Sequence, residues 1–193
     1  MGLHWKEIQL TGNPTIVVGI PLPSGAPLFL AFVALHIAAG LTAVIGGAVA
    51  VAMLAPKQPG RHPLAGTNYY WALAVVFATT SALVFSRWSE DYHLFILGLL
   101  SFVAATIGRT ARQRLWPSWA RIHMTGMGSS YILLITAFYV DNGRNLPLWH
   151  ELPQIAFWLF PAMIGTPMLV IALLRHPLTA RRSQTIPPQA SSG

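Results

Sequence analysis

Read for its apolar and polar positions, the chain breaks into five long apolar runs separated by short polar stretches. The runs fall at 28–54, 68–85, 92–107, 121–140 and 155–174. A membrane-spanning helix needs ~20 mostly apolar residues, and each run is close to that length. The pattern predicts an all-α integral membrane protein with five transmembrane helices, the first four forming a bundle. A polar arm rich in Pro and Gly fills 1–25, with a short apolar piece at 16–20. The membrane domain takes 26–175, and the tail 176–193 has the composition of disorder.

The connections refine this layout. The stretch 57–63 (KQPGRHP) reads as a turn, with His62 at its end. Residues 86–91 are enough only for a tight hairpin, so spans two and three are predicted to be antiparallel neighbours. Ala39, Ala43 and Gly47 recur every four residues in the first span, a face small enough for close helix approach. Gly126, Gly128, Ser129 and Ser130 make a similar region early in the fourth span. Pro161 and Pro167 interrupt the amide ladder of the fifth span and are expected to kink it.

Composition places the chain in lipid. Of its 193 residues, 54% are hydrophobic and 9% charged, against ~25% charged in a soluble domain. The net charge of +7 would suggest nucleic acid in a soluble protein. Here the cations flank apolar runs, which points to membrane orientation and no nucleic-acid partner. With the C-terminus placed inside, nine of the twelve Lys and Arg residues, from Lys57 to Arg182, fall on the inner side. All five acids, Glu7, Glu90, Asp91, Asp141 and Glu151, fall outside. The expectation is N-terminus outside and C-terminus cytoplasmic. Trp88, Trp149 and Trp158 would form an outer aromatic belt, and Tyr69, Tyr70 and Trp71 an inner one. No cysteine is present, which excludes disulfides, thiolate metal sites, iron–sulfur clusters and covalent c-type haem. No cleavable signal peptide is expected, because Lys6, Glu7 and Pro14 break up the first twenty residues.

Histidine carries the candidate chemistry. His36 and His93 belong to the outer halves of spans one and three, His62 and His123 to the inner ends of spans two and four. In an up-and-down bundle, one and three can face each other, as can two and four. Two facing imidazoles can ligate a haem iron axially, and bundle cores hold such cofactors. His62 and His123 share a depth. His36 lies ~12 Å into its span, at ~1.5 Å per residue, whereas His93 opens its own. Arg61, Arg109 and Arg121 are candidates to offset haem propionates. A rival zinc reading gathers His93, His150 and Asp91, with Glu90 and Asp141 nearby, as an outer-face hydrolase centre. No HExxH spacing, G-x-S-x-G elbow or Walker loop is present. A non-redox membrane protein, whether transporter, sensor or assembly partner, with structural histidines, is the first alternative to haem, ahead of zinc.

The four-histidine layout resembles that of the transmembrane ascorbate-reducible cytochromes b, whose core helices carry two histidine pairs. That resemblance implies haem b and electron transfer across the membrane; the family's ascorbate-site sequence is absent. His36-x3-Gly40, Arg61-His62-x3-Gly66-x2-Tyr69 and Arg121-x-His123 resemble an uncharacterised bacterial family of multi-pass membrane proteins, defined only as a domain of unknown function. The resemblance covers spans one to four. Pro63 departs from it, standing where Arg is expected. It implies a bacterial inner-membrane location and no activity. Joined to the histidine layout, the leading expectation is a b-type haem protein serving a quinol or another redox partner.

Overall fold

Apolar runs become helices because lipid offers the backbone no other hydrogen-bond partner. A computed structural model describes residues 15–17, 20–22, 27–52, 60–84, 88–147, 149 and 151–175, with side chains from residue 30 onward. The helices are α1 (Pro27–Ala52), α2 (Arg61–Val84), α3 (Trp88–Gln113), α4 (Trp119–Asn142) and α5 (Gln154–Arg175). Three of them are long and apolar enough to cross a membrane: Leu30–Ala52, Trp88–Gln113 and Gln154–Arg175. Ahead of them, β1 (Thr15–Val17) and β2 (Ile20–Leu22) pair antiparallel, with Ile16 opposite Pro21. This small ribbon is absent from the sequence expectation.

The outer surface is that of a protein in lipid. Ile37, Leu41 and Ile45 on α1 and Met163 and Leu174 on α5 are all more than half exposed. Contiguous exposed apolar surface on this scale marks a membrane or an interface. The core lies between the helices. It consists of Ala39 and Ala43 of α1, Tyr69, Ala72, Leu73 and Val76 of α2, Ala105 of α3 and Leu134 of α4. The small-residue face of α1 is therefore inward. A Cβ at Gly47 would collide with the Tyr131 ring.

Helices α1 to α4 pack consecutively, α4 also touches α1, and α5 lies against α4. The diagonals are thus α1 with α3 and α2 with α4. The tightest approach is between α3 and α4 at Gly108 and Gly126. A Cβ on Gly126 would stand 2.7 Å from the Ala104 carbonyl oxygen and 2.8 Å from the Gly108 Cα. Both obstacles are backbone, so only glycine fits there.

Helix ends differ from the sequence expectation in ways that matter for the histidines. α2 begins at Arg61 rather than 68, so His62 belongs to a helix and not to a turn. Pro63 causes no break, since the first turn leaves its amides unbonded in any case. Gly60, at φ 100°, supplies the left-handed residue that turns the chain into α2. α3 extends to 88–113 instead of 92–107. Glu90 and Asp91 in its first turn and Arg112 in its last complement the helix dipole. α5 runs through Pro161 and Pro167 as one element. Tyr69 leaves the expected inner belt: it is 2% exposed and part of the core.

Candidate histidine site between α2 and α4

Two diagonal helices place histidines near their N-terminal ends against each other. The His62 and His123 rings have centroids 6.4 Å apart and planes at 82°. Each ring is fixed by a neighbouring helix. His62 donates Nδ1–H to the carbonyl of Ala50, in the last turn of α1, at 3.0 Å. His123 donates Nδ1–H to the carbonyl of Gly108, near the end of α3, at 3.0 Å. A carbonyl oxygen only accepts, so Nδ1 carries the proton in both rings and Nε2 keeps its lone pair. No hydrogen bond of either Nε2 occurs among the described residues. Four helix ends thus meet at this point.

The local folding follows from small residues. Gly108 and Gly126 bring α3 and α4 together, so the Gly108 carbonyl lies within reach of His123. Gly46 lies against the Tyr69 backbone, with its Cβ position 3.4 Å from that amide nitrogen, which draws α1 onto α2. Gly66, one turn beyond His62, would carry a Cβ with nothing within 4 Å.

Arginines surround this end. Arg61 and Arg121 lie beside the histidines in sequence and are exposed. Arg109 lies over the Tyr70 ring at 4.7 Å and donates to Thr67 Oγ1 at 3.4 Å. Arg112 lies over the Trp119 ring at 4.5 Å. These cation–π contacts hold the two cations at the helix ends.

Above the histidines is a buried hydroxyl chain that the sequence did not single out. Tyr69 and Ser130 hydroxyls meet at 2.6 Å. Ser101 donates to the Ser130 carbonyl at 2.8 Å and meets its hydroxyl at 3.2 Å. Because the Ser101 proton is committed to the carbonyl, the direction is Tyr69 to Ser130 to Ser101. Tyr131 donates to the Val44 carbonyl at 3.1 Å. No buried side-chain polar atom among the described residues lacks a partner.

The other histidines are arranged differently. His36 contacts Thr79 Oγ1 at 2.9 Å through Nδ1. Thr79 gives its own proton to the carbonyls of Val75 and Val76, so His36 is the donor. His93 packs on Trp158 of α5 and on Tyr92. The two rings have separate partners on separate helices, with no ring contact between them among the described residues. Asp141 lies within electrostatic reach of His36, His93 and Asp91. Even so, no three His, Asp or Glu side chains among the described residues gather as metal ligands. His150, the third member of the expected zinc set, lies outside the described residues. Compared with family models, curated proteins and solved structures, the chain matches none.

Proposed function

We propose that the chain is a five-span membrane protein that holds one b-type haem between His62 and His123 and passes electrons at its inner face. The observation that carries this reading is the histidine pair itself. Two metal–imidazole bonds of ~2.0 Å, with about 1.1 Å from nitrogen to ring centre on each side, require centroids about 6.2 Å apart. The rings stand at 6.4 Å. Their Nδ1–H bonds to carbonyls fix the tautomer that leaves Nε2 for iron and raise its basicity, as outer-shell partners of ligating histidines do. The pair therefore offers two imidazole donors at the ring spacing that a shared metal would need with both Nε2 atoms turned toward it.

Bound there, a haem would supply reversible one-electron transfer. The residues of the chain do the rest. His62 and His123 hold the iron, and Arg61 and Arg121 offset the propionate charges. A membrane quinol is the proposed electron donor, with an acceptor at the inner face. The outer histidines are not given a second haem, since His36 is engaged with Thr79 and His93 with Trp158.

Five spans are supported by length and packing. α2 and α4, at 24 residues each, are ~36 Å long at ~1.5 Å per residue, enough for a ~30 Å hydrocarbon core. Their polar groups turn inward, as Tyr69, Thr79, Ser130 and Thr136 do. The excess of arginine at the histidine end makes that end cytoplasmic, which puts the C-terminus inside and the N-terminus outside. A bacterial inner membrane is the proposed location.

A non-redox reading is favoured by the same two hydrogen bonds, which tie α2 to α1 and α4 to α3 without any cofactor. Haem per polypeptide separates the two. Protein purified in detergent from cells with ample haem should contain one haem per chain. Folded protein without haem would leave the histidines as helix ties.

A further inference from the structure

Gly66 stands on α2 about one helical turn, ~5.4 Å, beyond His62 and on the same face. Its neighbours fix where that face looks. His62 meets His123 and Tyr69 meets Ser130, both on α4. Tyr70 stacks on Phe102 of α3 with ring centroids 5.8 Å apart. Leu64 and Trp71, both more than half exposed, mark the opposite, lipid-facing side of α2. Gly66 is therefore turned inward, toward α3 and α4, and it is partly buried. Yet a Cβ built on it would meet nothing within 4 Å.

Glycine weakens a helix relative to alanine. In a membrane bundle, close approach of another helix is what normally calls for one. Gly46, Gly47, Gly108 and Gly126 each have such a neighbour. Gly66 has none, so packing does not account for it. The open space also adjoins a free donor: His62 is bound through Nδ1 to Ala50, and its Nε2 has no hydrogen bond among the described residues. We infer that this space receives the edge of the haem macrocycle held by His62 and His123, and that residue 66 must be small for haem to bind. Axial ligation sets a macrocycle across the metal–imidazole bond, so its edge spreads over the adjoining turn of the helix that bears the ligand. On α2 that turn carries Gly66. The inference rests on the haem reading and adds to it a size limit at one position.

The test compares the full-length parent with Gly66→Leu and Gly40→Leu, each purified in detergent as haem-free protein and titrated with haem. Gly66→Leu should bind haem at least about tenfold more weakly than the parent. Its haem-free form should melt no lower than the parent's, because the added carbons enter open space and leucine favours a helix more than glycine does. Those two readouts separate loss of ligand room from loss of fold. Gly40 is the control, equally open but one turn from His36, which is engaged with Thr79. Gly40→Leu should bind haem as the parent does. Parent-like haem affinity in Gly66→Leu would overturn the inference and leave the haem reading standing. So would a lower melting temperature of haem-free Gly66→Leu, or an equal loss of affinity in Gly40→Leu. A parent that binds no haem would remove the reading itself and the inference with it.

Discussion

Tyr69 and Ser130 join hydroxyls at 2.6 Å, and each stands seven residues beyond a histidine of the inner pair. Seven residues are two helical turns, ~10.5 Å at ~1.5 Å per residue. α2 and α4 therefore run parallel and in register across the diagonal, with His62 opposite His123 and Tyr69 opposite Ser130. The upper contact fixes the lower one. If α4 slid by one turn, Ser130 would lose Tyr69 and the imidazoles would part together.

Removing that upper tie should loosen the bundle without destroying the site. Tyr69→Phe deletes the donor to Ser130 but keeps the buried ring. A typical hydrogen bond contributes ~0.5–1.5 kcal/mol, with membrane values near the lower end. The variant should unfold at lower denaturant in mixed micelles by about that amount. Unchanged stability would place the Tyr69 hydroxyl outside the network described.

The glycine contact between α3 and α4 should tolerate no side chain. Gly126→Val would drive a Cβ into the Ala104 carbonyl and the Gly108 Cα, neither of which can swing aside. Overpacking costs ~1–3 kcal/mol, and here it also displaces the carbonyl that holds His123. A marked fall in melting temperature is expected. Gly40→Ala, with nothing within 4 Å of the added carbon, should melt like the parent. Equal behaviour of the two variants would contradict the packing.

Much of this architecture was legible from apolar periodicity. The bounds of α1 and α5 follow the apolar runs closely, since nothing polar competes there. α2 was harder. Pro63 and His62 look like turn residues, yet a helix accepts Pro in its first turn and buries His when a carbonyl such as that of Ala50 is within reach. Tyr69 reads as an interfacial aromatic because sequence alone does not show Ser130 opposite it. The same holds for Gly108, whose importance lies in a carbonyl and a close contact rather than in a motif. The alternation of histidines indicated which helices should face one another. It did not reveal that Thr79 engages His36 or that Trp158 covers His93.

Orientation can be tested separately from cofactor chemistry. A reporter fused after Gly193 should be cytoplasmic, and one inserted near Asn142 external. A cytoplasmic reporter at Asn142 would remove α4 from the set of spans.

The zinc alternative also has a direct outcome. Protein purified without added metal should contain no stoichiometric zinc, and His93→Ala should leave metal content unchanged. Zinc at one per chain, lost in His93→Ala, would restore the outer-face hydrolase reading.

The most direct measurement is the reduced-minus-oxidised absorption spectrum of the purified protein and its histidine variants. The parent should show a sharp Soret band and α-band of one low-spin haem. His62→Ala and His123→Ala should each abolish that low-spin signal, because one imidazole does not by itself hold a six-coordinate b haem. His36→Ala and His93→Ala should keep it. A folded, colourless parent protein, or a low-spin spectrum that survives loss of either His62 or His123, would contradict the assignment.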